Sequence, residues 1–353
     1  MHKWVFLFAL LISLILTAVI TVACTASELT IAKPTDHPGN TLTTVLNRGS
    51  LICGVNGQLP GFSFADSRGD YSGIDADYCR AIAAALFDDP RKVEFRSLSA
   101  QERFTALTTG EVDVLIRNTT WTMNRDAVLG LEFLPPIFYD GQGMMVTAAS
   151  GVKDIRQLNN ATICVQSGTT TEQNLTDRFR QLNVPFTPVI LSDSDTLYTA
   201  FVQGRCQAVT SDRSQLTIQR QKLASPDSYV ILDQVISKEP LAPVVRDQDS
   251  KWANALKWII YGSFQAEELG IAQANLSQFT TSPDPEVKRL LGKEGTLGSD
   301  VGLPTNDFVA RLIRAVGNYG DIYERNLGKP FKLARGLNNL WTKGGLIYSP
   351  PFR

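Results

Sequence analysis

The sequence predicts an α/β protein of two similar lobes joined by two crossovers, preceded by an export segment and followed by a folded C-terminal extension. Three observations carry this reading. Short β-branched runs alternate with amphipathic stretches early in the main body, as in βαβ units with parallel strands. The same rhythm restarts after a glycine-containing bridge at residues 140–146. A second extended stretch, 236–245 with Pro240 and Pro243, then leads the chain back before a long helix.

Taken in order, residues 4–23 form an apolar run behind Lys3 with no further charge until Glu28, long enough to leave water as an export segment or anchor. The small residues Thr21, Val22 and Ala23 before Cys24 resemble a lipoprotein cleavage site, so lipidation of Cys24, plain cleavage and an uncleaved anchor all stay open. Residues 24–40 are polar with Pro34 and Pro38 and read as a tether, and folding is expected from Thr41. Strands are expected at 51–55, 93–95 and 112–116, with helices at 74–87 and 101–108. The second lobe repeats the pattern with strands at 163–165, 189–191 and 208–210 and helices at 171–181 and 195–203. Residues 252–269 carry apolar side chains at helical spacing (Trp252, Leu256, Ile259, Ile260, Phe264, Leu269). The expected boundaries are 41–142 and 240–353 for lobe one with its extension and 143–239 for lobe two.

Composition excludes several functions. Thirty-four Lys and Arg balance 35 Asp and Glu, which removes the basic footprint that nucleic-acid binding needs. The two histidines, His2 and His37, lie in the export and tether region, so the main body has no imidazole for Ser-His-Asp or Cys-His catalysis or for a His-ligated metal. We expect no cofactor, no metal and no enzyme activity. Four cysteines follow Cys24, an even number in an exported chain. Pairs Cys53–Cys79 and Cys164–Cys206 are expected, one of three connectivities, against the alternative of four small buried thiols.

Three clusters could hold a ligand. The segment from Ile116 to Arg125 leaves a strand and enters a helix capped by Thr122; it offers hydroxyls, the amide of Asn118 and the guanidinium groups of Arg117 and Arg125, suited to a carboxylate. Residues 165–172 end a strand and contain Thr169-x-x-Glu172, the spacing of a capping box, so free N–H groups of a helix start face outward there. Asp212 follows a third strand and could neutralise an ammonium. Each alone also fits a bland reading as surface turn, helix cap or solvated aspartate. Jointly they supply an anion site and a cation site for a zwitterion.

At these residues the sequence resembles the extracellular solute-binding proteins of the polar amino-acid ABC importers, in the branch of general L-amino-acid binders. The likeness runs from about residue 41 to 353 and is carried by GVNGQLPGFSFADSRGDYSGIDADYCRAIA, RFTALTTGEVDVLIRNTTWT, CVQSGTTTEQNL, GNYGDIYERNLG and LNNLWTKGGLIYSPP. It implies the two-lobed periplasmic-binding-protein fold with two hinge crossovers and a C-terminal extension. It implies that Arg125 binds the ligand carboxylate with Thr120, that Asn118 meets the ammonium, that the N–H of Thr170 meets the carboxylate on closure and that Asp212 binds the ammonium. Asn56 and Leu59 fall where relatives line the side-chain pocket, and Ala100 stands near the place of an aromatic that stacks on the ligand in many relatives, a loss that fits broad specificity. The implied partners are a free L-amino acid and the permease subunits of an importer, for a periplasmic monomer.

Two rivals come from other classes. An exported dehydratase-type enzyme on the same fold would need an acid or base beside the bound carboxylate, and Asp212 is already committed to the ammonium. A ligand-sensing partner of a receptor would have to signal through a separate chain, since no second apolar run of about 18 residues follows.

Overall fold

The computed structural model describes residues 39–353, so the expected export segment, Cys24 and the tether apart from Gly39 and Asn40 lie outside the described residues. Helix α1 (Thr41–Arg48) turns Leu42 and Val45 inward and ends at Gly49 in the left-handed region. Strand β1 (Leu51–Val55) leads through a small ribbon, β2 (Gln58–Leu59), β3 (Ser63–Ala65) and β4 (Tyr71–Ser72), into helix α2 (Ile74–Phe87). Gly73 precedes that helix at φ 118°, where a Cβ would lie 2.1 Å from the Phe62 carbonyl oxygen, so only glycine fits the turn. Strand β5 (Val93–Ser97), helix α3 (Arg103–Thr108), strand β6 (Val114–Leu115), helix α4 (Met123–Val128) and strand β7 (Leu131–Phe133) follow.

The chain then crosses through β8 (Phe138–Asp140) and at once enters β9 (Gln142–Thr147). The second lobe contains β10 (Ala161–Gln166), α5 (Thr170–Gln181), β11 (Phe186–Leu191), α6 (Ser194–Val202), β12 (Ala208–Asp212), α7 (Arg213–Lys222) and β13 (Tyr229–Ile231). Strands β14 (Glu239–Leu241) and β15 (Val244–Arg246) and helix α8 (Ser250–Glu268) carry the chain back.

Two five-stranded sheets result, ordered β5-β1-β6-β15-β7 and β11-β10-β12-β9-β13. In each, the first of the three parallel strands, β1 or β10, lies between the other two, and the next strand along the sheet is antiparallel. That antiparallel strand is β9 after the outward crossing and β15 after the return, so each crossover ends as part of the sheet it enters. The crossovers themselves pair as a two-stranded ribbon, Phe138–Asp140 against Glu239–Leu241. The stretch expected as a bridge at 140–146 is therefore mostly strand. Gly143 explains the close fit of β9 beneath α7, since a Cβ there would lie 2.9 Å from Arg213 Cγ.

Strands β1 and β10 are buried on both faces, as parallel central strands are, with Leu51, Cys53, Val55, Ile163, Cys164 and Val165 all inside. Both expected disulfides are present, Cys53–Cys79 tying β1 to α2 and Cys164–Cys206 tying β10 to the turn before β12. The extension is folded through α9 (Leu276–Phe279), α10 (Pro285–Leu290), α11 (Leu297–Asp300), α12 (Phe308–Val316), α13 (Tyr319–Tyr323) and α14 (Lys329–Phe331). Its apolar stripe Phe308, Val309, Leu312, Ile313 and Val316 completes the lobe-one core around Trp252, Ile82 and Tyr78. It also reaches the crossovers: the Asn338 side chain accepts from the Tyr139 N–H at 2.6 Å and donates to the Tyr139 carbonyl at 3.0 Å.

Asp75, in the first turn of α2, is buried and accepts the Asn118 N–H at 3.0 Å, holding the end of β6 against the helix. Burial pushes its carboxyl up to about 7, opposed by that N–H and by Arg117. The folded protein thus binds a proton that the unfolded chain releases near the ordinary value of 3.8. Between these values the native state holds more protons, so Asp75 lowers stability as pH rises toward 7 and adds no further change above it. Urea midpoints measured from pH 4.5 to 8 should fall with rising pH, and less steeply in Asp75→Asn; equal slopes would refute this. Replacing Cys164 and Cys206 together by serine should cost about 3–4 kcal/mol in the same assay, from the freedom returned to the unfolded loop.

Candidate functional site

The ends of β6, β10 and β12 face one another across the seam between the lobes and line a single cavity. Lobe one contributes Arg103, Arg117, Asn118, Thr120 and Arg125; lobe two contributes Thr169, Thr170 and Thr171 from one helix start and Ser211, Asp212 and Gln215 from another. The lobes touch here. Thr120 Oγ1 and Thr170 Oγ1 are 3.4 Å apart, Gln101 Nε2 donates to Ser167 Oγ at 2.9 Å, and an Arg103 Nη2 donates to the Gly168 carbonyl at 3.5 Å.

Local chemistry sets the lobe-one wall. Beyond β6 the chain turns at Asn118, which takes φ 39°, a conformation asparagine tolerates better than most residues. The next residues are stapled to the returning crossover, with Trp121 N–H donating to the Pro240 carbonyl at 2.9 Å and Ala242 N–H to the Thr119 carbonyl at 3.0 Å. The Thr122 hydroxyl caps α4 by accepting the Arg125 N–H, as the sequence indicates. The cap brings Arg125 back over the turn, where its Nη1 donates to the Thr120 carbonyl at 2.8 Å.

Three buried guanidinium groups converge on this wall. Arg117 Nε donates to the Leu98 carbonyl at 2.8 Å. The Phe104 ring packs against both Arg103 and Arg125, whose Cζ atoms are 4.7 and 5.1 Å from its centroid. Burial lowers Arg117 and Arg125 to about 10, Asp75 opposing this for Arg117 and Glu239 and Asp212 for Arg125, so both remain cations at neutral pH. Burial and the two neighbouring arginines also press Arg103 down, with Asp212 opposing, and its Nε is buried with no hydrogen-bond partner. A wall of this kind calls for anionic or acceptor groups.

The opposite wall carries a buried carboxylate. Asp212 ends β12, buried, and accepts from Gln215 Nε2 at 3.0 Å, while Gln215 Oε1 accepts from the Ser211 hydroxyl. Burial, with Asp140 and Glu239 nearby, raises the Asp212 carboxyl well above its ordinary range, and Arg125 pulls it back. At the start of α5 the Thr169 hydroxyl accepts the Glu172 N–H. Glu172 reaches the Gly168 N–H at 3.2 Å instead of its cap residue, so the expected reciprocal box is only half formed.

Arg125, Thr120, Asn118, Thr170 and Asp212 therefore meet in one cavity. Asn56 and Leu59 do not line it: Leu59 is buried in the lobe-one core, and Asn56 turns its side-chain oxygen to the Gln58 N–H at 3.1 Å. Ala100 is buried beside Gly168 in the seam, outside the cavity lining. Arg103 escaped the sequence reading. A signal existed, since an arginine opening a helix opposes the dipole and asks for another reason to be there.

Comparison with known proteins shows the family. The family of bacterial extracellular solute-binding proteins, family 3, matches residues 51–273. The chain is 49% identical over 317 residues to the general L-amino acid-binding periplasmic protein AapJ of Rhizobium johnstonii, covering 89% of this chain and 93% of that one. It is also 49% identical over 317 residues to the glutamate/glutamine/aspartate/asparagine-binding protein BztA of Rhodobacter capsulatus, covering 89% and 94%. The solved structure of an ABC transporter periplasmic binding protein from Brucella ovis with glutathione bound matches with a TM-score of 0.86 and 49% identity, over 89% of this chain and 99% of that chain. The chain belongs to family 3 of the bacterial extracellular solute-binding proteins.

Proposed function

We propose that the protein captures free L-amino acids, several and not one, in the cavity between its lobes and hands them unchanged to the membrane subunits of an ABC importer. One observation carries this: a buried guanidinium, Arg125, and a buried carboxylate, Asp212, stand on facing walls of the same cavity, contributed by different lobes. An amino-acid zwitterion supplies the complementary pair of charges. In this reading Arg125 and the Thr120 hydroxyl bind the carboxylate, the N–H of Thr170 joins them from the helix start, and Asp212 with the Asn118 region holds the ammonium. Asp212 must be ionised to do so, and a bound ammonium restores the charged form that burial opposes.

Lobe one, 41–142 with 240–353, offers the carboxylate site to solvent when the lobes part, and lobe two, 143–239, completes it on closing about the β8–β14 ribbon. Closure presents both lobes together to the permease. The names of the relatives, a general L-amino-acid binder and a binder of four acidic and amide amino acids, support a broad range. We read the molecule as a monomer working in the periplasm, tethered through Cys24 if that residue is acylated. We read the site as one that binds without chemistry, which the names of the relatives support.

Calorimetry of unfolded-and-refolded protein against the common L-amino acids tests the reading. Several should bind at micromolar or tighter dissociation constants, and Arg125→Ala and Asp212→Ala should each weaken binding about 30-fold or more, because each strands a buried charge. Failure of the wild-type protein to bind any amino acid would overturn it. Arg103 makes a finer prediction. Its unpartnered Nε suits a side-chain carboxylate or amide oxygen, so Arg103→Ala should weaken L-glutamate and L-glutamine about tenfold and L-alanine less than about threefold. Equal losses for all three would show that Arg103 only shapes the wall.

A further inference from the structure

Glu239 lies on β14, one of the two crossover strands, and is 1% exposed. It does not line the cavity. Both of its carboxylate oxygens accept hydrogen bonds, and two of the three donors come from the facing helix of lobe two. The Thr170 hydroxyl donates to Oε2 at 3.0 Å and Asn174 Nδ2 donates to Oε1 at 2.8 Å, while the Ser237 hydroxyl donates to Oε1 as well.

A threonine hydroxyl has one proton and two lone pairs. With that proton committed to Glu239, Thr170 can present only acceptor character to the cavity it lines. The Thr120 hydroxyl faces it at 3.4 Å, and the commitment makes Thr120 the donor in that contact. When Thr120 turns its proton to a ligand carboxylate, the lone pair on Thr170 is left facing the ligand. A carboxylate is repelled there, whereas an ammonium, with three N–H donors, fits.

We propose that Glu239 is a positioning residue that fixes the polarity of the Thr170 hydroxyl, holding it as an acceptor for the ligand ammonium. The inference rests on the amino-acid reading above and deepens it: selection for an amino group is shared between Asp212, which lines the cavity, and Glu239, which acts through Thr170. The same carboxylate anchors the start of α5 to the crossover, so the acceptor arrives in register when lobe two closes.

Glu239→Gln tests this by reversing polarity. The amide oxygen can keep the Asn174 and Ser237 donors, and the amide nitrogen then faces Thr170 and donates to it, freeing the threonine proton toward the cavity. The measurement is the ratio of dissociation constants for glutarate and L-glutamate, two ligands that differ by the amino group; if L-glutamate is not bound, the tightest L-amino acid of the panel and its deamino counterpart replace them. In wild type the ratio should strongly favour the amino acid. In Glu239→Gln it should drop about 10- to 100-fold, with L-glutamate weakened and glutarate unchanged or tighter. In a Thr170→Val background, which removes the hydroxyl, Glu239→Gln should change the ratio no further.

A ratio within about threefold of wild type, equal loss for both ligands, or a second drop in the Thr170→Val background would each overturn the proposal. Should Glu239→Gln fail to fold, Thr170→Val alone decides, since removing the acceptor must lower the ratio. A wild type that binds no amino acid ends the amino-acid reading and this inference together. A wild type that binds amino acids with an unchanged ratio in the variants ends this inference alone.

Discussion

The arrangement depends on holding three guanidinium groups out of water on one wall of a seam. Arginine does not shed its proton to escape burial as lysine can, so the surrounding structure has to answer the charge. The answers come from distant parts of the chain. Carbonyls of Leu98, Thr120 and Gly168 accept from Arg117, Arg125 and Arg103, the Phe104 ring packs against two of them, and the carboxylates that offset the charge include Asp75, Glu239 and Asp212. These acids belong to an early helix of lobe one, to a crossover and to lobe two. Charge compensation in the cavity therefore requires both lobes and the ribbon between them, and it links the site to the hinge.

The sheets make this geometry available. Each lobe places the first of its three parallel strands between the other two, and the ends of β6, β10 and β12 meet at the seam. Helix starts then follow directly, at Met123, Thr170 and Arg213, so backbone N–H groups and capped side chains point where a ligand would lie. The extension bears on the same region from behind. Arg335 pairs with Glu267 through two hydrogen bonds of 2.6 and 3.0 Å, Asn338 brackets the Tyr139 backbone, and Gln221 of lobe two donates to the Phe331 carbonyl at 2.8 Å. The extension is rooted in the lobe-one core yet touches a lobe-two helix, so parting of the lobes has to break or carry the Gln221 contact.

What could be read in the sequence was what local chemistry decides. The strand and helix rhythm, the cap at Thr122 and the short β-branched runs are set within a few residues of themselves, and they were legible. Arg125, Thr120, Asn118, Thr170 and Asp212 were reached through motif likeness, because each follows a strand end in a recognisable turn. Arg103 and Glu239 were not legible because their contacts exist only across long separations: Arg103 meets Gly168, and Glu239 meets Thr170 and Asn174, only in the folded chain. Asn56 and Leu59 lie outside the cavity lining. A position aligned with a pocket can turn inward, and here the β2–β4 ribbon takes Leu59 into the core and occupies Asn56 with its own turn.

Placing acids at the hinge as well as at the site gives the cavity a particular electrostatic logic. The lining residues include three arginines and one aspartate, an excess of positive charge, while Glu239 and Asp140 lie behind the lining and bear on Asp212 from the crossovers. Asp140 is itself raised to about 6, chiefly by burial and with Glu239 adding to it, while the Ser214 hydroxyl and the Gly141 N–H pull it back. A zwitterion entering between these walls satisfies Arg125 without neutralising the acids, and satisfies Asp212 without adding a cation beside the arginines. A ligand with only an ammonium would leave Arg125 buried and unpaired, a penalty of several kcal/mol that opposes closure, whereas one with only a carboxylate would leave Asp212 in the neutral form that burial favours and would gain nothing from it. In the proposed reading, selectivity for the zwitterion follows from where the charges are buried, and Arg103 bears on the ligand side chain.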